Sequence, residues 1–195
     1  MKRLFDIVVS SFGLILLSPL LVAIAVAVAM SSRGPILFRQ QRVGQFFHPF
    51  TLYKFRTMVV GSDSGPAVTA EGDSRVTAIG RVIRKTKLDE LPQLINVLKG
   101  DMSLVGPRPE VARYVDLFRS DYEEILSVRP GITDQAAIAY RNEEELLSGY
   151  TDPEAGYVNV VLPAKIALYR RYIRERGMLG DLKILFATIW RVATG

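Results

Sequence analysis

The stretch IVVSSFGLILLSPLLVAIAVAVAM, residues 7–30, decides how the chain is read. It carries no charge and is long enough to cross a bilayer core as a helix, which takes about 20 residues. Lys2 and Arg3 precede it; Arg33, Arg39 and Arg42 follow it. Three readings compete. A cleaved signal peptide would explain the basic start and the small residues Ala25, Ala27 and Ala29, but the run exceeds the usual apolar core of such peptides. A single span would put the two ends on opposite sides. A re-entrant helix would bend inside the membrane and leave on the side it entered. Positive residues mark the cytoplasmic flank, and here both flanks are positive, which suits two cytoplasmic ends. Ser18-Pro19 sits near the centre of the run. Pro19 lacks an N–H and crowds the Ile15 carbonyl, which favours a kink. The Ser18 hydroxyl is expected to bond back to the Leu14 carbonyl, satisfying opened backbone. On physical grounds an ordinary kinked span and a re-entrant helix both remain open.

The whole chain has 195 residues, 49% of them hydrophobic, with a net charge of +5 and a mean hydropathy of +0.18. That is room for one catalytic domain with a modest core, or a small domain plus a membrane element. The basic balance suits anionic partners: nucleic acid, acidic lipid headgroups or phosphorylated substrates. The absence of cysteine excludes disulfides, thiolate metal sites and cysteine nucleophiles together. A single histidine, His48, excludes a histidine metal cluster. A lone histidine of this kind is expected on the surface.

Residues 51–60 read as a strand and 61–75 as an exposed loop rich in Gly, Ser, Asp and Pro. Helices are expected over 76–87, over 92–98 with a stop at Gly100, over 110–126, and over 162–176 with a stop at Gly177. Residues 127–160 read as loop-rich. The last segment places Leu182, Leu185, Phe186, Ile189 and Trp190 on one helical face. That face either packs on the core or, with Trp190 and Arg191 at its end, lies in the membrane interface.

Chemistry concentrates in RVIRKTKLDELPQLINVLKGDMSLVGPRPE, residues 81–110. Asp89 and Glu90 are adjacent acids just ahead of Pro92, which is comfortable at a first helical position. The positive helix end and the cations upstream are expected to keep both ionised. An ionised carboxylate can act as a nucleophile or bind magnesium; paired acids before a proline also serve simply to start a helix. Arg84 and Arg108 can grip phosphate oxygens two at a time, and Gly106-Pro107-Arg108-Pro109 is a stiff turn that would hold Arg108 in place. Lys54 and Arg56, two apart, share one face of the expected strand.

This block resembles the signature of the bacterial sugar transferases, specifically the small monotopic phosphoglycosyl transferases. The matching residues are Lys87-Leu88-Asp89-Glu90-Leu91-Pro92-Gln93, Asn96-Val97-Leu98, Gly100-Asp101-Met102-Ser103 and Gly106-Pro107-Arg108-Pro109. Lys54-Phe55-Arg56-Thr57-Met58 and Arg129-Pro130-Gly131-Ile132-Thr133 are similar to two further blocks, and the Ser-Pro-centred apolar run to the family's re-entrant helix. The resemblance runs from Lys2 to about Thr188, and the length is that of the minimal catalytic form.

The resemblance implies a mixed α/β, helix-rich fold with a small sheet, amphipathic interfacial helices and a re-entrant helix over 1–32. Residues 33–195 would be the catalytic domain on the cytoplasmic face of the bacterial inner membrane. It implies transfer of a phosphosugar from a UDP-sugar to polyprenol (undecaprenyl) phosphate with release of UMP, the first membrane step of glycoconjugate assembly. Asp89 would be the nucleophile and would hold Mg2+; Glu90 would be an acid, a base or a supporting partner. Arg84 and Arg108, with Lys54 and Arg56, would bind substrate phosphate. Arg129 and Arg141 would lie in the nucleotide-sugar region, and Ser18 and Pro19 at the membrane break. After Thr133 the chain departs from the family at Asp134, Ala139 and Tyr140, which leaves the sugar open. Apolar surface helices permit a homodimer. Two other classes compete. A scaffold with a decayed site is opposed by the intact Asp89 and Glu90. A nucleic-acid-binding domain is opposed by scattered cations and an unexplained apolar run.

Overall fold

The computed structural model describes residues 1–62 and 68–194. The apolar run is a pair of helices, α1 (Lys2–Leu16) and α2 (Ser18–Ser31), bent by 63° at Leu17. Pro19 falls in the first turn of α2, where its missing N–H costs nothing. The Ser18 hydroxyl donates to the Ile15 carbonyl at 2.8 Å, not to Leu14, because the chain has already turned there. Among the described residues no single helix is long and apolar enough to cross a membrane; α1 and α2 together are.

α1 is inside out. Its buried residues are Asp6 and Ser10, one turn apart, while Ile7, Val8, Val9, Phe12, Ile15 and Leu16 are exposed. Asp6 accepts from the Ser103 hydroxyl at 2.9 Å and from the Leu104 N–H at 3.3 Å. Arg3 donates to the Val97 and Leu98 carbonyls, where a helix end leaves acceptors free. α2 buries only Ile24 and Val28 among its residues, against Phe55 and Ile83.

β1 (Leu37–Val43) and β2 (Pro49–Phe55) form an antiparallel hairpin in the register Leu37↔Phe55 to Val43↔Pro49. The strand expected to run to residue 60 therefore stops at Phe55; beyond it Met58 makes one isolated bridge to Val76. Of the expected loop, residues 63–67 lie outside the described residues. Val68 is buried, so this segment is not exposed throughout.

α3 (Ala78–Lys85) is shorter than expected, because the Thr77 hydroxyl caps its start and Lys87 takes a left-handed φ of 58° just after it. α4 (Gln93–Lys99) ends at Gly100 with a φ of 95°. Left-handed backbone of that kind favours glycine, and it lets the Gly100 N–H reach the Asn96 carbonyl. β3 (Ser103–Val105) and β4 (Gly131–Thr133) pair in parallel, Ser103 beside Gly131. A Cβ on Gly131 would lie 2.1 Å from the Gly106 nitrogen, so only glycine lets these backbones meet.

The helix expected over 110–126 is two, α5 (Ala112–Leu117) and α6 (Arg119–Ile125), broken at Phe118. The loop-rich region holds β4, two short helices, α7 (Gln135–Ala139) and α8 (Glu143–Ser148), and α9 (Pro153–Gly156), which runs on without a break through a π-helical turn, Tyr157–Val161, into the next helix. α10 (Leu162–Glu175) and α11 (Met178–Thr194) follow. Tyr122, Ile125, Leu162, Ile166 and Tyr169 form one core among α5, α6 and α10, and Phe50, Leu94, Val97, Met102 and Ile184 a second under the hairpin. The architecture is helix-rich mixed α/β with two small sheets.

Candidate functional site

Asp89 and Glu90 lie in a tight turn, Leu88–Glu90, immediately ahead of α4. Asn96 fixes that helix to the hairpin. Its Oδ1 accepts from the Tyr53 N–H at 3.1 Å, and its Nδ2 donates to the Thr51 carbonyl at 2.7 Å. The acids are thereby held beside Lys54 of β2. The Gly106–Pro109 turn after β3 brings Arg108 to the same place.

The two carboxylates have different surroundings. Arg108 grips Glu90 in bidentate fashion, Nη1 to Oε2 at 3.0 Å and Nη2 to Oε1 at 2.5 Å, and Lys54 reaches Oε1 at 3.2 Å. Burial opposes the Glu90 charge, but Arg108 and Lys54 outweigh it and hold the carboxyl well below its usual range. Glu90 in turn raises Arg108. Burial lowers Lys54 despite Glu90 beside it. Asp89 is 7% exposed and has no ion pair among the described residues. Burial and the neighbouring Glu90 charge push it above its ordinary value. Cations therefore hold Glu90 ionised, with Arg108 from the later turn and Lys54 from β2 foremost, whereas for Asp89 burial and Glu90 outweigh the cations.

Asp89 faces a cavity of about 1520 Å³. Lys54, Arg56, Arg84, Arg108 and Arg141 line it, and so does Leu17 at the helix break. The other expected residues are placed as follows. Arg84 donates Nε to Glu144 at 3.0 Å and Nη1 to the Thr57 hydroxyl at 3.3 Å. Arg56 points its guanidinium at the Ser32 carbonyl, 2.6 Å away, and at Arg33 and Val28, which secures the end of α2. Arg129 is not in the cavity wall; its Nε donates to the Gly100 carbonyl at 2.8 Å. His48 is exposed, as expected.

Lys165 was not legible from the sequence. It is 4% exposed, lines the cavity, pairs with Glu143 and lies 5.0 Å from the Tyr157 ring centroid. Glu110 is another: buried, it takes the Tyr157 hydroxyl at 2.7 Å and pairs with Arg42 at 3.2 Å. No spacing rule ties these residues to Asp89, since Lys165 sits on α10 and Glu110 in the loop ahead of α5. Asp134 starts α7 by accepting from the Ala137 N–H at 2.8 Å, while its Oδ2 is buried without a partner. Burial raises it to about 6. Its cost to folding is therefore absent below the unfolded value near 4, grows as pH rises, and is complete above about 6. Asp134→Asn keeps the cap, so the variant should gain up to about 3 kcal/mol at neutral pH and nothing at pH 4. Thermal unfolding at the two pH values checks this; an equal effect at both would contradict it.

No group of three or more acids and histidines that could hold a metal exists among the described residues. Glu90 is committed to Arg108 and Lys54, and among the described carboxylates of the cavity wall Asp89 alone has no ion pair. That fits magnesium, which commonly binds one or two carboxylates together with substrate phosphates and water. The site as a whole is cationic and half-enclosed, and among the described residues Asp89 is its one acid without an ion pair: a setting for phosphate chemistry.

Comparison with known proteins agrees. The bacterial sugar transferase family matches residues 1–195, and the chain belongs to that family. It is 40% identical over 195 residues to the UDP-glucose:undecaprenyl-phosphate glucose-1-phosphate transferase of Klebsiella pneumoniae, covering 97% of this chain and 39% of that protein. It is also 40% identical to the UDP-N-acetylgalactosamine-undecaprenyl-phosphate N-acetylgalactosaminephosphotransferase of Aeromonas hydrophila, covering 100% and 44%. The chain thus spans less than half the length of these two relatives. Against the uncharacterized sugar transferase EpsL of Bacillus subtilis it is 44% identical, covering 98% of the chain and 87% of that protein.

Proposed function

We propose that this chain transfers a phosphosugar from a UDP-sugar to undecaprenyl phosphate, giving undecaprenyl diphosphate sugar and UMP. The observation that carries the reading is the cavity: one wall presents Asp89 among cations, another presents Leu17, at the break in an apolar helix pair. A water-borne nucleotide sugar and a membrane-borne phosphate can meet there. The names of the relatives point to the same two substrates and to different sugars, so the donor is left to experiment.

A carboxylate oxygen of Asp89 attacks the sugar-bearing phosphorus, and the bond to the UMP oxygen breaks. The phosphosugar is then an acyl phosphate on Asp89. An oxygen of the lipid phosphate attacks the same phosphorus and returns the carboxylate. Asp89 is the residue that would hold magnesium, and the ion would supply positive charge against that of the leaving group. Arg84 leaves Glu144 to take a phosphate oxygen, and Lys54 and Arg108 hold Glu90 so that its charge does not face the incoming anion. Both steps run in one site because the covalent intermediate lets the substrates enter in turn.

The exposed apolar faces of α1, α2 and α11 seat the domain in the cytoplasmic leaflet of the inner membrane, with α1 and α2 re-entrant and both ends cytoplasmic. Basic residues on both flanks of the run support this orientation.

Purified protein in nanodiscs, given magnesium and a panel of UDP-sugars labelled in the sugar, tests the reading. One donor should label the protein without lipid acceptor, and hydroxylamine should release the label, as it cleaves acyl phosphates. Adding undecaprenyl phosphate should move the label to lipid with matching UMP. UMP formed from a working donor with no protein-bound label at any time would overturn the covalent route.

A further inference from the structure

Several cations of the large cavity already have a carboxylate: Lys54 and Arg108 share Glu90, Arg84 has Glu144, and Lys165 has Glu143. Arg141 and Arg191 have no ion pair among the described residues. Arg39 and Lys87 also lack one, but they line only the large cavity. Arg141 and Arg191 line both it and an adjoining cavity of about 450 Å³. Arg141 follows α7, and its Nη1 is buried with no hydrogen-bond partner. A buried guanidinium nitrogen without an acceptor is costly, and a ligand oxygen would remove the cost. Arg191 arrives from a different element, the last turn of α11. A cation there also suits the helix dipole, but that leaves the Arg141 nitrogen unexplained.

We propose that Arg141 and Arg191 form an anion-binding mouth that receives the phosphate of the lipid acceptor before it reaches Asp89. This rests on the function proposed above for the identity of the lipid. The surroundings select a lipid over a nucleotide. On α11, Ile189 and Val192, 64% and 39% exposed, line the large cavity beside Arg191, and Phe186 and Trp190, each 71% exposed, extend an apolar strip along the same helix. A hydrocarbon chain lying on that strip brings its phosphate to the two guanidinium groups, which match phosphate oxygens in pairs. A water-soluble nucleotide gains nothing from the strip. Arg141 thus serves the acceptor rather than the nucleotide-sugar region.

Trp190, the only tryptophan, adjoins Arg191 and reports on the mouth without turnover. The full chain in zwitterionic nanodiscs is titrated with undecaprenyl phosphate, undecaprenol, phosphatidylglycerol or UDP while its emission is followed. Only undecaprenyl phosphate should give a saturating change. Arg191→Ala and Arg141→Ala should each weaken its apparent Kd by about tenfold, with Arg191→Lys intermediate and thermal midpoints unchanged for the exposed Arg191. An unchanged Kd in both alanine variants overturns the proposal. So does an equal response to the alcohol, to phosphatidylglycerol or to UDP. Failure of the enzymatic reading is a separate result: no donor is consumed by the wild type, while arginine-dependent lipid-phosphate binding persists.

Discussion

Asp89→Asn should lower UMP release by at least about a thousandfold and, at neutral pH, raise the unfolding temperature. The two effects have one origin. Asparagine keeps the size of the side chain but has no anionic oxygen with which to attack phosphorus. It also relieves the fold of a charge that burial and Glu90 disfavour. The sign follows from the direction of that shift. An acid raised by folding costs stability only once pH exceeds its unfolded value near 4, and the cost grows until pH passes the folded value. The stability difference between variant and wild type should therefore open with rising pH and vanish in acid. UMP release measured beside thermal unfolding at several pH values tests both halves. Activity that survives would remove Asp89 as the nucleophile. Activity lost together with stability would mean that Asp89 matters for folding alone.

Asn96→Leu should cost about 4 kcal/mol of stability, which for a chain of this size lowers the midpoint by about 10 °C. Asn96 is completely buried and stands in for a third strand along β2. Leucine fills the space but strands the Tyr53 N–H and the Thr51 carbonyl, each worth about 1–3 kcal/mol when left unpaired. Asn96→Asp keeps the acceptor but loses the donor and sets a buried carboxyl against Asp101, to which the Asn96 amide donates at 3.1 Å, so it should cost at least as much as leucine at neutral pH. Because the same helix begins at the Asp89 turn, UMP release should fall in both variants even below their melting points. A leucine variant within about 2 °C of wild type would show that β2 finds other partners.

These residues also show how far the sequence could be read. The Gly100 stop and the bend at Ser18-Pro19 depend on backbone rules that act over a few residues, and both were legible. The Ser18 acceptor shifted from Leu14 to Ile15 because the bend changes the local turn. The break at Phe118 had no signal: neither proline nor glycine marks it, and it exists because α5 and α6 must each lie against the α10 core. At the site, the motif gathered Asp89, Glu90, Arg84 and Arg108 in one block, but their roles toward one another come from tertiary contact. Arg108 faces Glu90 only because the turn after β3 lies next to β2. The pairing of Arg84 with Glu144 and of Lys165 with Glu143 joins distant segments, and no periodicity announces it.

α1 is fastened at its first two turns: Lys2 to Asp181 and the Val105 carbonyl, Arg3 to the end of α4, Asp6 to Ser103 and Leu104. Phe5 and Leu14 pack on the core under the hairpin. A truncation that begins after Ser31, made to obtain a water-soluble enzyme, would not simply remove an anchor. It would uncover Leu94 and Met102, leave the buried Ser103 hydroxyl without its acceptor, and unpair Asp181. α1 and the helices and strands it packs on should therefore unfold together, so solubility is better engineered on the outward faces of α1 and α2, with their inward faces left intact.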